Sequence, residues 1–135
     1  MNISTENKRL LVDEIKFVLQ SMKESKSPIK SIYFFSGIYA LLQRIFNTEY
    51  DPDLVFAHII FKMVHDTFSQ KILNPDPIIE LNNEHFERLY QLSENFYKKI
   101  ENNEGFDDIL KCFAVLSYSV GGNGYYLAHK GILSV

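Results

Sequence analysis

The sequence predicts an all-α fold, an antiparallel bundle of four or five helices with a short irregular C-terminal tail. Apolar residues recur every three or four positions through five long segments, which is the period of an amphipathic helix. Polar or proline-containing links separate these segments, and no stretch alternates apolar and polar residues for long enough to indicate a strand. Short links between long helices favour antiparallel neighbours.

The first helix is predicted from about Thr5 to Lys23, with one apolar face formed by Leu11 and its helical neighbours. The second begins at Ser27-Pro28 and runs to about Asn47. Serine followed by proline is a favourable N-cap with proline at the first helical position. This second segment is apolar on nearly every side, so it is predicted to be central and covered by neighbouring helices.

The third helix is predicted from roughly Asp53 to Lys71, after a second cap-and-proline start at Asp51-Pro52. The two prolines of Asn74-Pro-Asp-Pro77 end it, because proline cannot continue a helix. Its inward-facing residues are predicted to include Phe56, Ile60, Met63, Val64 and Phe68.

Two more amphipathic segments complete the bundle. A fourth helix, residues 84–101, follows a cap at Asn82-Asn83, and Asn102-Asn-Glu-Gly105 breaks it. A fifth runs from about Phe106 to Val120, and Gly121 and Gly122 end it, since glycine is a common residue after the last helical turn. We therefore expect one domain, residues 1–135, with residues 120–135 as the tail.

Composition excludes several classes of protein. The net charge of −3 and the scattered Lys and Arg residues give no basic surface for nucleic acid. A single cysteine cannot form an internal disulfide, which excludes a disulfide-stabilised secreted scaffold. The start of the chain lacks a basic region followed by an apolar run, and the most apolar segment, residues 32–46, is shorter than the ~20 residues that span a bilayer. We expect a cytoplasmic protein without a transmembrane segment.

No catalytic site is predicted. Cys112 lies inside a helix, where a thiol usually behaves as a small apolar group, and no serine lies in a G-x-S-x-G motif. His58 and His65 are seven residues apart and share a helix face, which is compatible with a metal site. Lys62 lies between them on that face, however, and its positive charge opposes a cation. The polar-face interpretation is favoured, and no metal or cofactor is predicted.

The C-terminal tail is the most unusual part of the chain. Four of the six glycines fall within eleven residues. Gly121-Gly-Asn-Gly124 follows a helix instead of preceding one and lacks the Lys-Ser/Thr of a phosphate loop. Helix termination and a turn account for the glycines, but not for the adjacent Tyr125 and Tyr126. Tyrosines outside a helix either pack back on the bundle or contact a partner, where such side chains are often major contributors to affinity.

The segment Val120-Gly-Gly-Asn-Gly-Tyr-Tyr-Leu-Ala-His129 resembles the end of immunity proteins for class IIa (pediocin-like) bacteriocins, of the enterocin A type. A looser similarity lies upstream, where an apolar second helix leads into Glu49-Tyr-Asp-Pro52 and Ser69-Gln-Lys-Ile72. The positions that match the C-terminal motif are Gly121, Asn123, Gly124, Tyr126 and Ala128.

The chain also departs from that family. Residues 74–103, including the fourth helix, look like an insertion relative to shorter members. His129 stands where an acidic residue is usual, and Gly131-Ile-Leu-Ser-Val135 replaces a polar ending.

The resemblance implies a non-enzymatic cytoplasmic protein with an antiparallel helical bundle. It would confer resistance to an antimicrobial peptide by engaging a membrane sugar-transporter receptor, the mannose phosphotransferase system, once bacteriocin has bound. Because the C-terminal part is associated with specificity in that family, Asn123, Gly124, Tyr126 and Ala128 are candidate partner-binding residues. Tyr125 and Lys130 are added as exposed contact groups. The alternatives are a helical-bundle adaptor with another partner, or a protein that senses a small ligand or metal through His58 and His65.

Overall fold

The computed structural model describes residues 1–75 and 81–121. Those residues form five α-helices and no strand, which confirms the all-α prediction. Each helix boundary lies within two residues of its predicted position, since local caps and breakers set where helices begin and end. The helices are α1 (Thr5–Glu24), α2 (Pro28–Phe46), α3 (Pro52–Leu73), α4 (Asn83–Glu101) and α5 (Asp107–Gly121).

Both predicted cap-and-proline starts are confirmed. The Ser27 hydroxyl accepts a hydrogen bond from the backbone N–H of Lys30 at 3.4 Å. At the start of α3, Asp51 Oδ1 accepts from the N–H groups of Asp53 and Leu54, at 2.9 and 3.2 Å. These bonds satisfy N–H groups that have no partner inside the helix.

The two ends of α4 show how polar links position a helix. Asn82 accepts from the N–H of His85 at 3.2 Å, while His85 Nδ1 accepts from the N–H of Asn82 at 3.1 Å. Histidine thus occupies the place that glutamate or glutamine usually takes in this reciprocal cap. At the other end Asn103 adopts a φ of 53°, and the N–H of Glu104 donates to the carbonyl of Lys99 at 2.9 Å. Asparagine tolerates this left-handed conformation better than most residues.

The five helices pack as a closed ring in the order α1, α2, α3, α5, α4, with α4 returning to α1. No helix lies at the centre, so the predicted central position of α2 is wrong. Its two neighbours are α1 and α3, and the Tyr33 ring on its outer face is 75 % exposed. The apolar character of α2 alone could not distinguish a central helix from one that keeps an exposed apolar face.

Four of the five neighbouring pairs are antiparallel, whereas α3 and α5 run in the same direction. Phe61 of α3 packs on Phe113 of α5, and Thr67 further along α3 bonds to Ser117 further along α5. A ring with an odd number of members cannot alternate direction all the way round, so one parallel pair is unavoidable. The fourth helix lies between α3 and α5 in sequence, but in the ring it packs between α5 and α1.

Phenylalanine rings fill the middle of the ring. The fully buried Phe61 ring lies 5.6 Å from that of Phe35, 4.8 Å from Phe96 and 4.6 Å from Phe113, measured between centroids. These partners belong to α2, α4 and α5, so one side chain of α3 contacts three other helices. Phe106, just before α5, extends the cluster at 5.0 Å from Phe96.

The prediction that Phe56 of α3 lies in the core is wrong. Phe56 is 50 % exposed, while Val64 and Phe68 are fully buried as predicted. The buried stripe runs through Leu54, Ala57, Phe61, Val64 and Phe68. Phe56 falls outside it because α3 carries apolar residues on more than one face, and only the neighbouring helices decide which face is covered.

Candidate functional site

The predicted recognition segment begins where α5 ends. Its candidate residues Asn123, Gly124, Tyr125, Tyr126, Ala128 and Lys130 lie outside the described residues. The structure places their point of attachment, since α5 ends at Gly121, one residue beyond its predicted end. Because α5 runs parallel to α3 and α3 antiparallel to α2, this end of α5 is at the same end of the bundle as the start of α2.

A run of exposed apolar side chains lies along the parallel pair α3 and α5. Phe56 and Ile59 of α3 are 50 % and 55 % exposed, and Val115 and Tyr118 of α5 are 63 % and 45 % exposed. On α3, steps of three or four residues lead from Phe56 and Ile59 to Thr67, and the Thr67 hydroxyl lies 2.8 Å from the hydroxyl of Ser117 on α5. In this register Phe56 and Ile59 lie in the first turns of α3, and Val115 and Tyr118 lie toward the opposite end of the pair, in the last turns of α5. We call these four residues the α3–α5 apolar surface.

His58 and His65 share one face of α3, as their spacing predicts, and both contact Tyr39 of α2. The Tyr39 ring centroid lies 6.2 Å from that of His58 and 5.0 Å from that of His65. Lys62, between the histidines, places its Nζ 5.7 Å from the Tyr39 ring and 2.9 Å from a carboxylate oxygen of Asp66. The other carboxylate oxygen of Asp66 lies 3.0 Å from His65 Nδ1.

This cluster packs α2 against α3 and is poorly arranged for a metal ion. Burial lowers the pKa of His58, and the charge of Lys62 lowers it further. His58 is also edge-on to the Phe46 ring at 5.1 Å. Within the described ranges, no three His, Cys, Asp or Glu side chains come close enough together to hold a metal. A cation placed between the two histidines would be repelled by the positive charge of the Lys62 ammonium group.

Two carboxylates of the α2–α3 link bind the N-terminal segment, which the sequence did not reveal. Glu49 accepts hydrogen bonds from the N–H and hydroxyl of Ser4, at 2.9 and 3.0 Å, and from the side-chain amide of Asn7. Asp51, predicted only as a helix cap, also accepts from the N–H of Asn2 at 2.7 Å. No local pattern reports such contacts, because the partners are more than forty residues apart in sequence.

Two buried hydroxyl groups bond to backbone carbonyls within the bundle. The Ser93 hydroxyl donates to the carbonyl of Leu89 at 2.8 Å, and the Ser31 hydroxyl donates to the carbonyl of Met22 at 3.4 Å. Cys112 is half-buried against the core. Every buried side-chain nitrogen or oxygen of the described residues has a hydrogen-bond partner.

The protein is thus an all-α bundle with exposed apolar side chains on α3 and α5. No helix of the described ranges is both long enough and apolar enough to cross a bilayer. No family model, curated protein or solved structure matches the chain.

Proposed function

We propose that this protein is a non-enzymatic immunity protein that protects its producer cell from a pediocin-like bacteriocin. In this proposal it acts in the cytoplasm, where it binds the mannose-phosphotransferase receptor after bacteriocin has bound to it. Recognition is by surface contact, and no covalent chemistry is required. The residues proposed to make that contact are Asn123, Gly124, Tyr125, Tyr126, Ala128 and Lys130.

The observation that supports the proposal most strongly is the junction at the end of α5. The last turns of this helix expose Val115 and Tyr118, and the motif Gly-Gly-Asn-Gly-Tyr-Tyr follows directly. Tyrosine is among the residue types enriched in the small groups of residues that dominate affinity at protein interfaces. The α5 part of the α3–α5 apolar surface, Val115 and Tyr118, thus leads in sequence into the segment that resembles the immunity motif.

A helical bundle suits this role because its rigid core can hold a short recognition segment without taking part in chemistry. A tyrosine contributes a large contact area at the cost of few rotatable bonds. Glycine and asparagine before it permit backbone conformations that other residues rarely adopt. Val115 and Tyr118, in the last turns of α5, then add contact area next to the motif.

Protection can be tested by expressing the chain in a bacterial strain that is sensitive to class IIa bacteriocins. We expect the full chain to raise the bacteriocin concentration needed for killing. Removing residues 122–135, or making the Tyr125→Ala/Tyr126→Ala double change, should abolish that protection. Tyr50→Ala is the matched control, because Tyr50 is 82 % exposed but lies in the α2–α3 link, and this variant should protect as the full chain does.

Folding of the variants is checked by far-UV circular dichroism, which should show nearly unchanged helicity. Unaltered killing by several class IIa peptides in cells that contain the full chain would refute the proposal. A truncated chain that still protects would refute the assigned role of the tail. Receptor binding is tested separately by co-purification with the mannose-phosphotransferase complex, which should require added bacteriocin.

A further inference from the structure

The turn between α1 and α2 gathers three lysines at one end of the bundle. Lys23 lies in the last turn of α1, Lys26 in the link and Lys30 in the first turn of α2. All three are exposed, and none forms an ion pair with another residue of the described ranges. Glu24 lies in the same turn of α1, and its carboxylate accepts a hydrogen bond from the Gln20 side-chain amide at 2.7 Å instead of pairing with these lysines.

Exposed apolar side chains lie among these lysines. Ile29 is 52 % exposed and Tyr33 is 75 % exposed, and steps of three or four residues place both on one side of α2 with Lys30 beside them. We call Lys23, Lys26, Ile29, Lys30 and Tyr33 the basic face. Beside it lies an open depression of about 560 Å³ lined by Ser21, Glu24, Ser25, Lys26, Ser27, Lys30 and Phe34.

The opposite end of the bundle carries charges of both signs, Glu49, Asp51, Asp53, Asp107 and Asp108 beside Lys8, Lys98 and Lys99. Lys98 pairs with Glu94 at 3.8 Å and Lys99 with Glu104 at 2.9 Å. A negatively charged surface would therefore attract the lysines of the α1–α2 turn, which lack such pairs, more strongly than the lysines of the other end.

We propose that the basic face binds the surface of an anionic lipid bilayer. Lysines near such a surface each contribute about fivefold to the partition coefficient. Tyr33 and Ile29 can enter the headgroup region, where tyrosine is favoured because it is apolar along its ring and polar at its tip. Lysine ammonium groups reach lipid phosphates while their methylene chains cover the apolar side chains.

A flat lipid surface fits this face better than an acidic protein does. The three lysines lie in the α1–α2 turn and the helical turns that flank it, and Ile29 and Tyr33 follow in the first two turns of α2. An extended lipid surface can contact such a dispersed set of side chains without a shaped pocket. α5 ends at the same end of the bundle, so an oriented protein would hold the attachment point of its tail near the membrane. The inference goes beyond the proposed immunity function and does not depend on it.

The test measures sedimentation of the full chain with vesicles. At low salt we expect binding to vesicles of equal parts phosphatidylglycerol and phosphatidylcholine, and none to vesicles of phosphatidylcholine alone. The Lys23→Gln/Lys26→Gln/Lys30→Gln variant should lose about a hundredfold in partition, from about fivefold per lysine. Raising salt from about 0.01 M to about 1 M shortens the Debye length from about 30 Å to about 3 Å and should release the wild-type chain.

The matched control removes three lysines from the other end, Lys8→Gln/Lys98→Gln/Lys99→Gln, and should bind as the wild type does. A further variant, Ile29→Ser/Tyr33→Ser, should bind several-fold more weakly at the same charge. Equal loss in both triple variants would overturn the proposal, because net charge alone would then explain binding. Absence of wild-type binding to the anionic vesicles would also overturn it and would leave an acidic protein as the partner to test. Neither result bears on protection from bacteriocin.

Discussion

At the scale of single residues, Phe61 links four of the five helices through ring contacts. Its ring is fully buried and packs on rings from α2, α4 and α5. The sequence predicted the helix that carries Phe61 but placed Phe56, not Phe61, in the core. Both positions are apolar residues of an apolar helix, so only the arrangement of the neighbouring helices separates them.

Phe61→Ala should therefore destabilise the protein strongly. Loss of the ring removes apolar contacts and leaves a cavity, which typically lowers the free energy of unfolding by about 3–5 kcal/mol. Phe17→Ala is the matched control, because the Phe17 side chain is 62 % exposed and should change stability by less than about 0.5 kcal/mol. Urea unfolding followed by circular dichroism measures both. Similar urea midpoints for the two variants would contradict the assignment of Phe61 to the core.

At the scale of helices, the closest approach described around a glycine is where α1 crosses α2. A Cβ atom built on Gly37 would lie 3.0 Å from Glu14 Oε1 and 3.5 Å from Val18 Cγ2. Glu14 Oε1 is the end of a flexible side chain and can move aside, whereas Val18 is 1 % exposed and fixed by the core. One methyl group can therefore be accommodated here, but a branched side chain cannot.

Substitutions at Gly37 should consequently have opposite effects. Gly37→Ala should raise the free energy of unfolding by up to about 1 kcal/mol, because alanine loses less backbone entropy in a helix. Gly37→Leu should lower it by about 1–3 kcal/mol, since the larger side chain forces the helices apart. Thermal unfolding of the two variants beside the wild type provides the measurement. If alanine destabilises as much as leucine, the helices are packed too tightly for Glu14 to yield.

At the scale of the whole molecule, Glu49 and Asp51 bind the N-terminal segment to one end of the bundle by hydrogen bonds. Burial raises the pKa of Asp51, but hydrogen bonds from the N–H groups of Asn2, Leu54 and Asp53 outweigh it and hold that pKa below its usual 3.8. The hydrogen bond from Asn7 is the main cause of the lowered pKa of Glu49. Carboxylates with lowered pKa values stabilise the fold only while they are ionised.

The contribution of Asp51 to stability is expected to be lost at low pH. Above the ordinary pKa both folded and unfolded chains carry the charged carboxylate, so the contribution of Asp51 is complete. As the pH falls through the lower folded-state pKa, the unfolded chain has already bound its proton and the contribution is lost. Asp51→Asn should lower the free energy of unfolding by about 1–2 kcal/mol at neutral pH. It should also flatten the decline between about pH 5 and pH 2.

Asp53→Asn is the control for this effect, because the Asp53 side chain is 53 % exposed and lies 3.5 Å from the Met1 ammonium. A surface pair of this kind contributes little, so the control should keep the wild-type pH dependence. Urea unfolding at several pH values checks both. An acid decline that is equally steep in Asp51→Asn would show that other carboxylates cause it.

The chain's sequence by itself determined the all-α fold class and the helix boundaries to within two residues, and it predicted four or five helices where the structure has five. These follow from local interactions, because caps such as Ser27 and Asp51, prolines and a 3.6-residue period act within one or two helical turns. The shared face of His58 and His65 was also predictable from spacing alone. The recognition role of residues 123–130 was inferred from the sequence and stays a prediction.

Only the tertiary structure decided the ring order, the parallel pairing of α3 and α5, and the choice of Phe61 over Phe56 for the core. Each of these depends on contacts between residues far apart along the chain. Such contacts are selected by the packing of whole helices, and no local pattern encodes them.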